Sequence, residues 1–205
     1  MKKIVCLGDS LTEGTDVDKN YTWPALVANE LRVEVLNRGI GGDTTGGLLG
    51  RFYFDVAQQR PDIVLIMGGT NDLWWDLDLN SIQANIFTMA CQARYHQIAP
   101  VIGIPPPLFM PAVQTQDMLG PVAGFERCLQ KLNHLASILM HSAQTSDIPC
   151  IDFYHLFLDR QGEVIGAYFL EDGLHPNKAG HRAMAARIVA TLRNLFYPNM
   201  QNAAD

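Results

Sequence analysis

Asp62-Ile63-Val64-Leu65-Ile66-Met67, followed at once by Gly68-Gly69-Thr70-Asn71-Asp72, decides the fold class. After Asp62 the run has no polar face, so a strand here must be covered on both sides. Strands of a parallel sheet meet that condition, whereas a strand with one wet face alternates. Outward from this run, strand-like and helix-like stretches alternate along the chain. Lys3–Leu7, Val33–Leu36, Val101–Ile104 and Cys150–Phe153 are further short apolar runs. Between them lie stretches of helical spacing. Pro24–Leu31 opens with a proline where a first turn tolerates one. Leu48–Val56 is weakened by Gly50, and Ser81–Gln97 has Ser81 or Asn80 as its cap. Phe125, Leu129, Leu132, Ala136 and Leu139 mark a long amphipathic helix, and Met184, Ile188, Leu192 and Leu195 stripe the last one. Five strands separated by helices require right-handed crossovers and an α/β fold, a parallel sheet with helices on both faces.

Lys and Arg total 15 and Asp and Glu total 21 in 205 residues, a net charge of −6. With 48% hydrophobic residues the composition is globular, and no basic block exists to bind nucleic acid or an anionic membrane. No Ser/Gly/Pro tract divides the chain, so 1–205 reads as a single domain. Residues 105–121, rich in Pro, Met and Phe, read as a loop bordering a site, and 201–205 as a frayed tail. Cys6, Cys91, Cys128 and Cys150 form no CxxC pair and no zinc spacing, so buried reduced thiols are expected. No signal-type or membrane-spanning apolar stretch occurs, and a cytoplasmic protein is the expectation. The last helix and the 105–121 loop each offer a surface for a homo-oligomer without requiring one.

Ligands of open parallel sheets bind beyond the carboxyl ends of the strands. There the chain places Gly8-Asp9-Ser10-Leu11, then Asn37-Arg38-Gly39-Ile40-Gly41-Gly42-Asp43-Thr44, then Gly68 to Asp72, and before the last helix Asp172-Gly173-Leu174-His175-Pro176. One rim gathers all four. A serine nucleophile needs a base, a group that orients the base, and donors for the oxyanion. Ser10 supplies the hydroxyl and His175 the base. Asp172 is close enough to orient His175 if the segment turns, although a backbone carbonyl serves that purpose at some sites. The Ser10 and Gly42 amides and the Asn71 side chain are the candidate donors.

Gly-Asp-Ser-Leu at 8–11, Gly42, Gly-x-Asn-Asp at 69–72 and Asp-x-x-His-Pro at 172–176 together resemble the four blocks of the GDSL, or SGNH, hydrolases, in order and in rough spacing. Gly-Asp-Ser-Leu-Thr-Glu-Gly with Trp23-Pro24 downstream is similar to the bacterial single-domain esterase branch. The resemblance implies a flavodoxin-like three-layer α/β/α sandwich with five parallel strands. It implies Ser10 as nucleophile, Ser10, Gly42 and Asn71 as oxyanion hole, and His175 with Asp172 as the remaining pair. It further implies hydrolysis of acyl esters through an acyl-enzyme, with no metal; an aromatic, Pro-bordered pocket suits small or short-chain acyl esters, and no cofactor is expected. Thioesters or O-acetylated carbohydrates are alternative substrates at the same site. A non-catalytic module that holds a small ligand on the same rim is the alternative of another class.

Several residues admit plainer readings. Ser10 alone is equally a helix cap. His96, His134, His141 and His155 read as surface or satisfied residues, and His181 as structural. Asp9 and Asp72 are expected to bond loop backbone. The 39–47 glycines lack the Lys of a phosphate loop and the third glycine of a dinucleotide fingerprint. Thr12 replaces the second glycine of a Gly-x-Ser-x-Gly elbow, which disfavours the α/β-hydrolase fold. Trp74 and Trp75 either pack at a loop base or wall the acyl or alcohol pocket. Phe109, Met110, Tyr168 and Phe169 are further candidates for that wall.

Overall fold

A computed structural model describes residues 2–113 and 120–196. Strands β1 (Lys3–Gly8), β2 (Glu34–Gly39), β3 (Ile63–Met67), β4 (Ala99–Ile104) and β5 (Cys150–Asp152) form one sheet. Their order is β2-β1-β3-β4-β5 and every pairing is parallel. The helices are α1 (Ser10–Glu13), α2 (Trp23–Leu31), α3 (Thr45–Asp55), α4 (Thr70–Trp74), α5 (Leu79–Tyr95), α6 (Met110–Val113), α7 (Phe125–Thr145) and α8 (Lys178–Phe196).

The strand period of two builds the layers. Ile4 and Cys6 of β1, with Ile63, Leu65 and Met67 of β3, face Trp23 and Val27 of α2 and Met184 and Ile188 of α8. Val5 and Leu7, with Val64 and Ile66, face the other way, onto Leu48 and Phe52 of α3 and the apolar stripes of α5 and α7. Both faces of β1 and β3 are therefore dry, and each fully buried Leu, Ile or Phe contributes about 1.5–3 kcal/mol. The result is the expected flavodoxin-like three-layer sandwich.

The chain runs from β1 outward to β2, then returns across β1 to β3. The crevice between β1 and β3 is thus the switch point at which such sheets bind ligands. Register makes the strand ends level there, with Gly8 opposite Gly39 on one side and Met67 on the other.

Several expectations need correction. β2 continues past Leu36 to Gly39, because an edge strand carries polar Asn37 and Arg38 without breaking its ladder. α3 starts at Thr45, three residues before Leu48, with Thr44 Oγ1 accepting from the Gly47 amide at 3.3 Å. The cap of α5 is Asp78, not Asn80 or Ser81, and its side chain accepts from the Ser81 amide at 3.1 Å. Leu195, assigned to the buried stripe of α8, is exposed because the helix end outruns the sheet. The 105–121 loop contains one helical turn, α6, while 114–119 and 201–205 lie outside the described residues. All four cysteines are free. Cys6 and Cys128 are buried and Cys150 half-buried, but Cys91, on the outer face of α5, is exposed. Among the described residues no helix is long and apolar enough to cross a membrane.

Candidate active site

The β1 ladder ends at Gly8, and extended backbone at Asp9 turns the chain into α1, whose first residue is Ser10. Asp9 caps this turn, its Oδ1 accepting from the Leu11 amide at 3.0 Å. Because one helical turn cannot hold itself, α1 is fastened from outside. The Trp23 indole donates to the Leu11 carbonyl at 2.9 Å, and Asn37 Nδ2 donates to the Thr12 carbonyl at 2.9 Å. The Trp23 amide in turn donates to His181 Nδ1 at 3.1 Å. Burial, with the nearby charge of His175, pulls His181 down to about 4, so it stays neutral and structural, as the sequence suggests.

His175 comes from the segment just before α8. Asp172 makes a tight turn there, Oδ1 accepting from the Leu174 and His175 amides at 2.8 and 2.9 Å. Its Oδ2 meets His175 Nδ1 at 2.6 Å, and His175 Nε2 meets Ser10 Oγ at 2.9 Å. Burial pushes the Asp172 carboxyl up, but the His175 side chain and the two amides outweigh it and hold it below the usual range. An ionised Asp172 can only accept, which places the proton on Nδ1 and leaves Nε2 free to take the one on Ser10. The Asp-x-x-His turn recurs at Asp152 and His155, with Nδ1 to Oδ2 at 2.7 Å. That copy is exposed, and among the described residues no serine stands at its far nitrogen.

The other wall of the crevice carries amide donors. Asn71 in α4 gives one Nδ2 hydrogen to the Asp43 carbonyl at 2.9 Å and keeps its second. That bond holds it against the 39–44 loop. Gly42 has φ +78, which favours glycine, and a side chain at this position would meet nothing within 4 Å. The loop is clamped by Arg51, which sequence reasoning missed. Its guanidinium reaches Asp43 at 2.7 Å, the Arg38 carbonyl at 2.9 Å, the Gly8 carbonyl at 2.9 Å and Asp55 at 2.6 Å. Only the i,i+4 spacing to Asp55 hinted at it. Asp72 ties α4 to the start of α3, accepting from the Thr45 hydroxyl at 2.6 Å and its amide at 2.9 Å. Asp9 and Asp72 both bond loop backbone, as expected for such turns.

Of the proposed pocket wall, part turns inward. Phe169 is 5% exposed, packed against Phe109 and Phe157, and Tyr168 packs on Phe157. Phe169 is sealed into the sheet face, whereas Tyr168 is half-buried, as Phe109 is. Trp74 is half-buried with its ring against Phe125 and packs at a loop base, whereas Trp75 is 61% exposed. Phe109 and Met110 are half-buried, and the Phe109 amide donates to the Gly173 carbonyl at 2.8 Å, beside the Asp172 turn. Among the described residues no cluster of three His, Cys, Asp or Glu is placed to hold a metal ion.

Directly behind Ser10, Asp9 is 0% exposed, and its Oδ2 has no partner among the described residues. Burial, with help from Asp72 and Asp43, pushes its carboxyl up to about 7. The folded state therefore keeps a proton that the unfolded chain releases near pH 4, and this contribution to stability is lost as pH rises from about 4 to about 7. Asp9→Asn keeps an acceptor for Leu11 and removes the buried charge. Net of an unpaired amide, it should stabilise by about 1–3 kcal/mol at pH 8. Thermal melts of both proteins at pH 8 and pH 4 check this: the gain should vanish at pH 4, and an equal shift at both refutes it.

The model of the GDSL-like lipase/acylhydrolase family matches residues 6–183. Esterase TesA of Pseudomonas aeruginosa is 25% identical over 198 residues, covering 94% of this chain and 89% of that protein. A GDSL lipase of Mycobacterium tuberculosis is 29% identical over 203 residues, covering 92% and 80%. The crystal structure of the lipase/acylhydrolase from Enterococcus faecalis superposes with a TM-score of 0.79 at 25% identity, covering 95% of this chain and 97% of that one.

Proposed function

We infer, for a chain that belongs to the GDSL-like lipase/acylhydrolase family and is an ester hydrolase of it, that Ser10 is the nucleophile, His175 the general base and Asp172 the group that orients His175. The observation that carries this reading is the 2.9 Å contact between His175 Nε2 and Ser10 Oγ, with Asp172 on the far nitrogen. Ser10 Oγ attacks the ester carbonyl as Nε2 takes its proton. The oxyanion accepts from the Ser10 and Gly42 amides and from the second Nδ2 hydrogen of Asn71. Collapse breaks the bond to the alcohol oxygen, which leaves with the proton from Nε2. Water then gives a proton to Nε2 and attacks the acyl-enzyme, and collapse breaks the bond to Ser10 Oγ, which takes that proton back as the acid leaves. No step draws on a metal or cofactor.

We read the substrates as small or short-chain acyl esters, and the chain as one domain acting in the cytoplasm. Phe109, Met110, Tyr168 and Trp75 are the remaining candidates for a wall beside the reacting bond. Asn71→Ala tests the oxyanion assignment. Losing one such donor costs about 100- to 1,000-fold in turnover. Steady-state kinetics on p-nitrophenyl acetate should show that loss mainly in kcat, and a change under threefold removes Asn71 from the mechanism.

A further inference from the structure

The three oxyanion donors come from three separate segments. The Ser10 amide follows β1, the Gly42 amide follows β2, and Asn71 stands in α4 after β3. Backbone within one segment does not set its distance to the others, yet the donors must converge within hydrogen-bond reach of one point. Arg51 spans all three. Its Nη2 donates to the Gly8 carbonyl, two residues before Ser10, and its Nη1 to the Arg38 carbonyl, each at 2.9 Å, which joins the ends of β1 and β2. Its Nε donates to Asp43 Oδ2 at 2.7 Å, beside Gly42, and the Asp43 carbonyl in turn accepts from Asn71 Nδ2 at 2.9 Å.

Both ends of this brace are themselves fixed. Leu48 and Phe52, which flank Arg51 in α3, are fully buried, and Asp55, one turn on, accepts from Nη1 at 2.6 Å. The Asp43 carboxylate rests on the first turn of α3, where a Cβ built on Gly47 would collide with Asp43 Oδ1, so glycine at 47 makes room for it. Gly42 lies in a turn closed by the Asp43 amide on the Ile40 carbonyl at 3.2 Å, and the Ile40 amide donates to the same Gly8 carbonyl at 3.1 Å. The planar fork of a guanidinium directs several donors at fixed angles, whereas an ammonium acts as a point charge. The bonds of Arg51 end on carbonyls and carboxylates behind the donors, so it acts through them and not on the substrate.

We propose that Arg51, paired with Asp43, is a positioning residue that sets the spacing of the oxyanion donors, so that its loss slows the chemistry and spares substrate binding. The inference rests on the reading of Ser10 as nucleophile with Gly42 and Asn71 as donors, and adds what holds them in place. The test is steady-state kinetics on p-nitrophenyl acetate, with each variant shown to be folded by near-UV circular dichroism. Arg51→Ala should lower kcat about 30- to 300-fold with KM within about threefold of native, because a 1 Å displacement caused far from the reacting atoms costs about 100-fold. Asp43→Asn removes a charge and no backbone atom. It should show the same pattern at about 5- to 30-fold, and it carries the test if Arg51→Ala does not fold. Combined with Asn71→Ala, either variant should lose about tenfold less than the product of the single losses, because a hole already short of a donor gains less from being held in shape. A residue that only supports the fold would give losses that multiply. Losses that multiply, a loss confined to KM, or a kcat within about threefold of native in both variants overturns the inference while Ser10 and Asn71 keep their roles. If Asn71→Ala alone changes the rate by less than about threefold, that donor leaves the mechanism and the inference falls with it.

Discussion

Ser10→Ala should lower kcat/KM for p-nitrophenyl acetate about 10,000-fold or more, leaving turnover at the level of the buffer. The substitution deletes one oxygen whose hydrogen bond in the structure is to His175 Nε2. Without it no acyl-enzyme forms, and what survives is water attack aided by the remaining donors, a small residue of the full rate. The fold should not move, because the turn is held by Asp9, Trp23 and Asn37 rather than by the Ser10 hydroxyl. A melting temperature unchanged beside a collapsed rate separates loss of chemistry from loss of structure. Retention of more than a few per cent of the rate, after correction for contaminating esterase, rejects Ser10 as nucleophile.

His175→Ala should cost nearly as much, and for a related reason. The hydroxyl of Ser10 is a poor nucleophile until a base takes its proton. Asp172 cannot substitute, since its turn holds the carboxylate on the far side of the imidazole. The double variant Ser10→Ala/His175→Ala should be no worse than either single one, because the two side chains act as a unit. Near-additive losses in that cycle would separate them.

Much of this was legible before any coordinates. Ile63–Met67 announces a strand dry on both faces, and the structure puts its two side-chain sets against opposite helical layers. Three rim segments converge because they follow the ends of β1, β2 and β3, level in register at Gly8, Gly39 and Met67, and the fourth reaches the same rim from the segment before α8, where His175 meets Ser10. What stayed hidden follows from the same physics. The polar end of β2 is an edge strand, where backbone pairing decides and hydrophobic pattern is silent. Phe169 is an aromatic residue outside the long helices and strands, and sequence spacing does not say which way such a side chain turns; here it turns into the core on the α8 face. Arg51 works by reaching the Gly8 and Arg38 carbonyls and the Asp43 carboxylate from its own helix, a three-dimensional coincidence of which only the i,i+4 spacing to Asp55 shows in the sequence.

The most direct measurement is covalent capture. A fluorophosphonate incubated with the native protein should add one adduct by intact mass, and peptide mapping should find it on Ser10. In His175→Ala the adduct should form far more slowly, because the hydroxyl has lost its base. An adduct on another residue, or an active enzyme that the reagent neither modifies nor inhibits, would contradict the account.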